Sequence, residues 1–168
     1  MPIPSISQPE MLFVSDGLRL RAYDGQLDLA YPWYQDTDMV YLLDAVGKPY
    51  SHKTIQQMYE FLSHRGEVYF IEVDEAKSWK AIGDVAFWQE DLPIVIGEKS
   101  YRGCGIGRAV VKTLIERARE LGFDYLRVQE IYEFNVASKA LFTSLGFQQL
   151  CQTDKGYSYE LPLMMDIR

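Results

Sequence analysis

A glycine-rich turn is the feature of this sequence with the clearest chemical meaning. Three glycines, Gly103, Gly105 and Gly107, stand within five residues, after an apolar run at 92–96 and at the start of a helical pattern at 106–121. Glycine permits positive φ and close approach of another molecule, and the first N–H groups of a helix have no partner within the helix. A strand that leads through such a turn into a helix therefore predicts a cradle for phosphate.

A second group of residues combines aromatic rings with carboxylates between residues 26 and 44. A cationic amine is attracted both to carboxylates and to aromatic faces. The net charge of −7 also favours a cationic or neutral substrate over an anionic one. We expect this segment and one acid of a later strand to contact the substrate. The residues predicted for that role are Tyr31, Trp33, Tyr34, Asp36, Asp38 and Asp84.

The elements that must position these residues follow from hydrophobic periodicity and helix capping signals. The predicted strands are 17–23, 67–73, 80–88, 92–96, 124–129, 147–151 and 157–163; the predicted helices are 26–44 with an interruption at Pro32, Ser51 or Thr54 to His64, 106–121 and 135–145. Segment 92–129 predicts a parallel strand–helix–strand unit, whose ligand binds beyond the carboxyl ends of the strands. Gly105 and Glu130 both fall there. The fold class is α/β or mixed α+β, with a largely antiparallel first half.

The length of 168 residues fits a single domain over the whole chain, with residues 1–16 as a flexible lead. This lead has neither the basic start nor the apolar segment of a signal peptide. No apolar run approaches the roughly 20 residues that a membrane span needs. The sequence therefore favours a cytoplasmic protein without a membrane partner.

Charge, cysteine content and histidine content argue against other classes of protein. An acidic surface repels phosphate backbones, so nucleic acid is not an expected partner. Cys104 and Cys151 are too few for a disulfide framework and are expected to be free thiols. His52 and His64 lack neighbouring ligands at metal-binding spacings, so we expect no metal site.

Two motifs resemble those of the GCN5-related N-acetyltransferases, the GNAT superfamily. Motif A of that family is Gln or Arg, two residues, Gly, one residue, then Gly or Ala, which Arg102, Gly105 and Gly107 match. Segment 135–147, in which Asn135 opens a helix that ends in Gly-Phe, is similar to the second family signature. Two motifs at the family's separation are far more specific than a lone Gly-rich turn. The chain looks similar to the aminoglycoside 6'-N-acetyltransferase and ribosomal-protein-alanine acetyltransferase branches.

The resemblance implies a central mixed, mostly antiparallel sheet of about six or seven strands, with helices on both faces and with the fourth and fifth strands splayed apart. It implies acetyl-CoA as the acyl donor and coenzyme A as the product. The pantetheine arm would lie along the fourth strand like an added strand, and an N–H group of that strand would polarise the thioester carbonyl. The residues thereby assigned to the donor are Ile94, Val95, Ile96, Arg102, Gly103, Cys104, Gly105, Ile106, Gly107, Arg108, Asn135, Ser138, Lys139 and Phe142.

A carboxylate is the expected proton acceptor, because an amine attacks a thioester only in its neutral form. Glu130 is the first candidate for this catalytic base. It ends the predicted strand 124–129, and it lies five residues before Asn135, where some aminoglycoside-acetylating relatives carry an acid. Asp84, Glu90 and Asp91 are alternatives that could act through water.

Phe142 departs from the family pattern. Many members carry a tyrosine seven residues after the signature asparagine, where its hydroxyl protonates the leaving thiolate, and phenylalanine cannot donate that proton. Tyr132 is the predicted catalytic substitute, with Tyr159 or water as alternatives. The resemblance thus implies direct acetyl transfer to the primary amine of a small cationic acceptor, such as an aminoglycoside or polyamine. The alternatives are a protein N-terminal acetyltransferase and a non-catalytic acetyl-CoA-binding module. A homodimer is compatible with the sequence.

Overall fold

The computed structural model describes Ile3 and residues 6–163. The strands are β1 (Met11–Ser15), β2 (Leu18–Ala22), β3 (Glu67–Glu75), β4 (Ser78–Phe87), β5 (Ile94–Ile96), β6 (Tyr125–Tyr132), β7 (Gln148–Gln152) and β8 (Gly156–Pro162). The helices are α1 (Thr37–Asp44), α2 (His52–Arg65), α3 (Ile106–Glu120) and α4 (Val136–Ser144), with short 3-10 helices at Tyr31–Gln35 and Lys99–Tyr101. No helix among the described residues is both long and apolar enough to cross a membrane.

The strands form two antiparallel sheets that diverge from a shared edge. One sheet has the order β1-β2-β3-β4-β5 and the other the order β6-β8-β7. They are joined where the N–H of Arg127 donates to the carbonyl of Gln89 at 2.9 Å and the N–H of Gln129 donates to Asp91 Oδ1 at 3.0 Å. Beyond this junction no ladder joins β5 to β6. A mixed, mostly antiparallel fold with these two strands splayed is therefore confirmed, although the described residues form eight strands in two sheets and not six or seven in one.

Helices cover both faces of the larger sheet, as predicted, because side chains of a strand alternate between its faces. Along β3, Tyr69 and Ile71 pack in the core that contains α3, whereas Val68 and Phe70 pack in a second core with α1 and α2. Arg117 of α3 also makes two hydrogen bonds of 2.6 Å to the buried carboxylate of Glu67 at the start of β3. These contacts hold α3 against β3.

The predicted flexible lead at 1–16 is wrong for residues 11–15. These residues form β1, which pairs with β2 from Met11 opposite Arg21. Leu12 and Val14 pack against the core while Phe13 points outward with 74% of its surface exposed. The turn at Gly17, whose φ is +73°, closes the hairpin. Residues 1, 2, 4 and 5 of the predicted lead lie outside the described residues.

The predicted helix at 26–44 is also corrected. It is a 3-10 helix at Tyr31–Gln35 followed by α1, and residues 26–30 are not helical. Pro32 lies in the first turn of the 3-10 helix, where its missing N–H costs nothing. Asp36 ends that helix and caps the next by accepting hydrogen bonds from the N–H groups of Asp38 and Met39. The chain thus changes direction at Asp36 and lays α1 beside β5.

Candidate active site

A cavity of about 560 Å³ lies at the carboxyl end of β5 and extends over the glycine turn. Its walls come from β5, from the first turn of α3, from α4 and from α1. It is lined by eleven of the residues predicted for the donor: Ile94, Val95, Ile96, Arg102, Gly103, Gly105, Ile106, Gly107, Arg108, Asn135 and Ser138. The structure therefore brings together both sequence motifs around one space.

The glycine turn presents free backbone N–H groups to this cavity. Gly105 has φ +81°, a left-handed conformation that favours glycine, and a Cβ added there would meet no atom within 4 Å. No side chain caps α3 in the described part of the chain. The N–H groups of Ile106, Gly107 and Arg108 precede the first intrahelical hydrogen bond, from Ala109 to Gly105. With the positive end of the helix dipole behind them, these groups fit a pyrophosphate.

Close packing between α3 and α4 explains the third glycine of the turn. A Cβ added to Gly107 would lie 2.9 Å from Cδ1 of Leu141. Arg108 bridges the same two helices, because its Nε donates to Ser144 Oγ at 3.3 Å while the residue still lines the cavity. A side chain at Gly107 would displace the end of the Leu141 side chain, whereas a side chain at Gly105 would meet open space.

The open edge of β5 supplies a second set of backbone donors. The N–H of Ala86 donates to the carbonyl of Pro93, and Val95 lies opposite Asp84 in the same ladder. Alternate residues of an antiparallel strand bond to the same neighbour, so Val95 bonds to β4. Ile94 and Ile96 direct their N–H groups to the opposite edge, where β6 has splayed away. An extended ligand can add to this edge as a further strand.

The Arg102 side chain makes three hydrogen bonds within the protein. Its Nε donates to the carbonyl of Ile96 at 2.7 Å, its Nη2 donates to the carbonyl of Gly97 at 3.1 Å, and its Nη1 donates to Asp36 Oδ2 at 3.3 Å. These bonds direct the guanidinium to the end of β5 and the start of α1. Arg102 lines the cavity, but its charge is already paired within the protein.

Lys139 and Cys104 line neither of the two cavities described in this section. The ammonium of Lys139 pairs with Glu133 at 3.1 Å, so the predicted reach of Lys139 to the phosphates is not seen. Cys104 is exposed, and its sulfur lies near the carbonyls of Ser100 and Arg102. Asn135, by contrast, lines both cavities and caps α4 by accepting a hydrogen bond from the N–H of Ser138.

A second cavity, of about 240 Å³, occupies the gap where β5 and β6 diverge. It adjoins the larger cavity, since both are lined by Leu42, Leu43, Ile94, Asn135 and Ser138. Unlike the larger cavity, it is lined by two acids close to the junction of the sheets, Asp91 and Glu130. Its other lining residues include Gln129, Tyr132 and Phe142. The predicted catalytic residues Glu130 and Tyr132 therefore line the same cavity as Phe142, which stands where many family members carry a tyrosine.

Glu130 and Tyr132 lie in this smaller cavity with distinct environments. Glu130 Oε2 accepts a hydrogen bond from the N–H of Lys155 at 3.2 Å. Tyr132 stacks on Phe134, with ring centroids 5.2 Å apart. Burial, together with the nearby charges of Glu130 and Asp44, raises the pKa of the Tyr132 hydroxyl above its usual value. The hydroxyl is therefore protonated at neutral pH.

Asp91 forms the apex of the splay. Its Oδ1 accepts hydrogen bonds from the N–H groups of Leu92 and Gln129, at 2.9 and 3.0 Å. Burial raises the pKa of this carboxyl, although both backbone hydrogen bonds oppose that effect. A side chain thus replaces the strand-to-strand bond at the point where β5 and β6 separate. Sequence reasoning identified Asp91 only as an alternative base, since nothing in the pattern indicates its partners.

Most of the residues predicted to contact the acceptor lie elsewhere. Trp33 and Tyr34 are 3% and 1% exposed and line neither cavity. The buried Asp84 Oδ2 accepts hydrogen bonds of 2.6 Å from the hydroxyls of Tyr34 and Tyr59. Burial raises the pKa of Asp84 to about 6. Trp33 and Tyr34 lie in the core between the larger sheet and helices α1 and α2, and Asp84 is bonded within it. These buried side chains cannot contact an acceptor, which corrects their assignment.

The remaining predicted contacts divide between surface and cavity. Tyr31 stacks on His52 with ring centroids 4.0 Å apart, and it lines neither cavity. Asp36 caps α1 and pairs with Arg102, whereas Asp38 does line the larger cavity. The residues that sequence reasoning missed on this side are apolar: Met39, Leu42 and Leu43 of α1. Their spacing of three and four residues, which places them on one face of α1, is the sequence signal that indicates them.

The glycine cradle, the open edge of β5 and the splayed sheets define the class of protein, one that binds an acyl donor through a pyrophosphate and an extended arm. The Acetyltransferase (GNAT) family model matches residues 27–147, and the chain belongs to this family. It is accordingly an N-acetyltransferase that uses acetyl-CoA, as the resemblance implied. The matched range contains both motifs and both cavities.

Solved structures share the fold at low sequence identity. A domain from Methanocaldococcus jannaschii DSM 2661 is 22% identical, with a TM-score of 0.77 over 89% of this chain and all of that one. The Salmonella typhimurium acetyl transferase that modifies the N-terminal serine of ribosomal protein L7/L12 is 17% identical, with a TM-score of 0.68 over 91% of this chain and 99% of that one. A putative acetyltransferase from the same organism, with its cofactor acetyl-CoA, is 18% identical, with a TM-score of 0.61 over 89% and 95%. No curated protein matches the sequence.

Proposed function

We propose that this enzyme acetylates the primary amine of a small cationic acceptor by direct transfer from acetyl-CoA. The observation that carries the proposal is the smaller cavity, which adjoins the donor cavity and is lined by Asp91, Glu130 and Tyr132. Carboxylates beside an aromatic ring attract an ammonium group. The net charge of −7 adds a long-range attraction for a cation. An aminoglycoside or a polyamine has this chemistry.

The residues of the two cavities divide the work of the reaction. The N–H groups of residues 106–108 would hold the pyrophosphate, and those of Ile94 and Ile96 would hold the pantetheine arm and the acetyl oxygen. When bound, acetyl-CoA supplies an acetyl group activated as a thioester. Glu130 would accept the ammonium proton directly or through water, because its bond from Lys155 leaves further lone pairs on the carboxylate. Asp91 is the alternative base.

Tyr132 is the proposed proton donor to the leaving sulfur. Phe142 is 2% exposed, packs edge-on against Phe147 and lines the smaller cavity without a hydroxyl. Tyr132 lines the same cavity and carries a phenolic hydroxyl, which is protonated at neutral pH. It therefore supplies this cavity with a phenolic hydroxyl that can donate a proton where the family's usual tyrosine is missing.

A protein N terminus is the second candidate acceptor, and an exposed aromatic surface favours it. Tyr41 and Phe134 stack with centroids 4.9 Å apart, are 45% and 40% exposed, and extend the stack on Tyr132 away from the cavity. A peptide segment after the reacting residue could lie on these rings. One protein of similar fold modifies the N-terminal serine of a ribosomal protein.

A panel of amines distinguishes these acceptors. The purified protein is mixed with acetyl-CoA and with polyamines, aminoglycosides or short peptides with free N termini, and coenzyme A release is measured. We expect turnover with polycationic amines and little with neutral peptides. Turnover confined to peptides would indicate a protein N terminus as the acceptor in place of a small amine. If none of the amines causes release of coenzyme A, the proposal is contradicted.

A further inference from the structure

One side chain connects the donor turn to the helix that covers the cavities. Arg102 and Asp36 lie 66 positions apart in the sequence, and their side chains meet at 3.3 Å. The same guanidinium donates to the carbonyls of Ile96 and Gly97. Arg102 therefore contacts the end of β5 and the start of α1 at once, from within the glycine-rich motif.

The carboxylate of Asp36 divides its two oxygens between Arg102 and α1. Oδ2 accepts from Arg102, whereas Oδ1 accepts from the N–H groups of Asp38 and Met39 at 3.2 and 3.3 Å. Although burial opposes it, these hydrogen bonds lower the pKa of Asp36, so the carboxyl is ionised at neutral pH. A shift of Arg102 would thus move the first turn of α1 through two consecutive sets of bonds.

The position of α1 determines the shape of both cavities. Asp38 and Met39 of its first turn line the larger cavity, and Leu42 and Leu43 line both. Outside these leucines, the smaller cavity is built from β6, from α4 with its cap Asn135 and from residues 91–94. A displacement of α1 would therefore change the space for the acceptor, even though Arg102 itself does not line the smaller cavity.

A second contact ties the preceding 3-10 helix to the same end of β5. Trp33 packs against Gly97 so closely that an added Cβ would lie 2.1 Å from its ring, and its Nε1 donates to Glu98 Oε1 at 3.2 Å. The Trp33 side chain is 3% exposed, whereas the Arg102–Asp36 pair is partly exposed, with side chains 30% and 27% accessible. Trp33 therefore anchors the segment, and the ion pair is the link that can respond to a ligand on the turn.

We propose that Arg102 is a positioning residue that couples occupancy of the donor turn to the placement of α1. Binding at the turn would fix Arg102, and Asp36 would transmit that order to the first turn of α1. This inference rests on the proposed function, in which the smaller cavity receives the amine. Because α1 lines that cavity, its placement would then affect binding of the acceptor. The coupling assigns Arg102 to the protein's internal geometry and not to the phosphates.

Amide hydrogen exchange measured by mass spectrometry tests this coupling, with coenzyme A as the probe. Exchange in α1 and in the glycine turn is compared with and without coenzyme A, in the wild type and in Asp36→Asn. Asparagine caps a helix as well as aspartate, so the variant keeps the cap and weakens the ion pair. In the wild type, we expect coenzyme A to slow exchange in α1 by about fivefold or more, the lower end of ordinary coupling.

In Asp36→Asn, protection of the glycine turn should persist while protection of α1 falls to less than about twofold. Glu116→Gln is the matched control, because it weakens the exposed pair between Glu116 and Arg119 on the far part of α3 and should behave as wild type. Arg102→Lys, which cannot make the three bonds of the guanidinium, should reproduce the Asp36→Asn pattern. If Asp36→Asn lowers the melting temperature, Arg102→Lys serves as the variant that tests the coupling.

Equal protection of α1 in the wild type and both variants would overturn the proposal, because it would mean that the ligand contacts α1 directly. Loss of protection at the turn in Asp36→Asn would overturn it too, since the pair would then serve donor binding itself. The experiment contains no amine. If no amine in the turnover panel is acetylated, the proposed acceptor is therefore contradicted, while the hydrogen-exchange result is unaffected.

Discussion

The two adjoining cavities share part of their lining but present different kinds of chemical group to a ligand. The larger one presents backbone N–H groups, from the first turn of α3 and from the open edge of β5. The smaller one presents side chains, chiefly Asp91, Glu130 and Tyr132. A backbone site depends on conformation and on the absence of side chains, whereas a side-chain site depends on charge and protonation. The donor half should therefore be sensitive to added bulk, and the acceptor half to single functional groups and to pH.

The largest expected effect is loss of donor binding in Gly105→Glu. The carboxylate would enter the phosphate site, and a non-glycine residue at φ +81° adds strain of roughly 1–2 kcal/mol. We expect calorimetry to show an affinity for coenzyme A at least about 1,000-fold weaker, because a like charge replaces a favourable contact. Gly122→Glu is the matched control, since Gly122 has φ +80° with equally open surroundings at the other end of α3. If both variants lose binding equally, strain and not occupancy of the site is responsible.

A pH-dependent stability is expected from the buried carboxyl of Asp84, which lines neither cavity. Burial raises the pKa of Asp84 from 3.8 to about 6, so between these pH values the folded state binds more protons than the unfolded state. Stability should therefore fall as pH rises from about 4 to 6, by on the order of 3 kcal/mol from this group. Urea unfolding of wild type and Asp84→Asn at several pH values measures it. The same pH dependence in both proteins would show that Asp84 is not the group that titrates.

Replacement of one hydroxyl should affect turnover but not donor binding. Tyr132→Phe removes the proposed proton donor and keeps the ring that stacks on Phe134. We expect kcat to fall by about 10- to 100-fold, within or just below the usual range for a general acid, with the affinity for coenzyme A unchanged. Adding Phe142→Tyr to this variant should restore part of the loss, because it returns a hydroxyl to the same cavity. An unchanged kcat in the single variant would leave water as the donor.

The smallest effect is expected at Lys139. Its ammonium pairs with Glu133 and lines neither cavity, so Lys139→Gln should change the affinity for coenzyme A by less than about twofold, as for an ordinary surface charge. Calorimetry at low and moderate salt checks this. A loss greater than tenfold would mean that Lys139 leaves Glu133 to bind a phosphate, and the donor half would no longer be a purely backbone site.

The same contrast explains what could be predicted from the sequence. Backbone features leave local signals, so the glycine turn and the asparagine that caps α4 indicated the family, the donor and the splayed strands. Side-chain partnerships leave none: the three bonds of Arg102 join segments far apart in the chain. Trp33 and Tyr34 suit both a surface and a core, because each combines a large apolar ring with one polar atom. Only the folded structure shows that both are buried in the core.

The most direct test of the backbone donor site is an NMR titration of the ¹⁵N-labelled protein with coenzyme A. Hydrogen bonds to phosphate should move the amide signals of Ile106, Gly107 and Arg108 downfield, and the amide signals of Ile94 and Ile96 should shift as the pantetheine arm binds. The amide signal of Lys139 should change little. Unchanged signals at residues 106–108, with large changes around Lys139, would contradict the account.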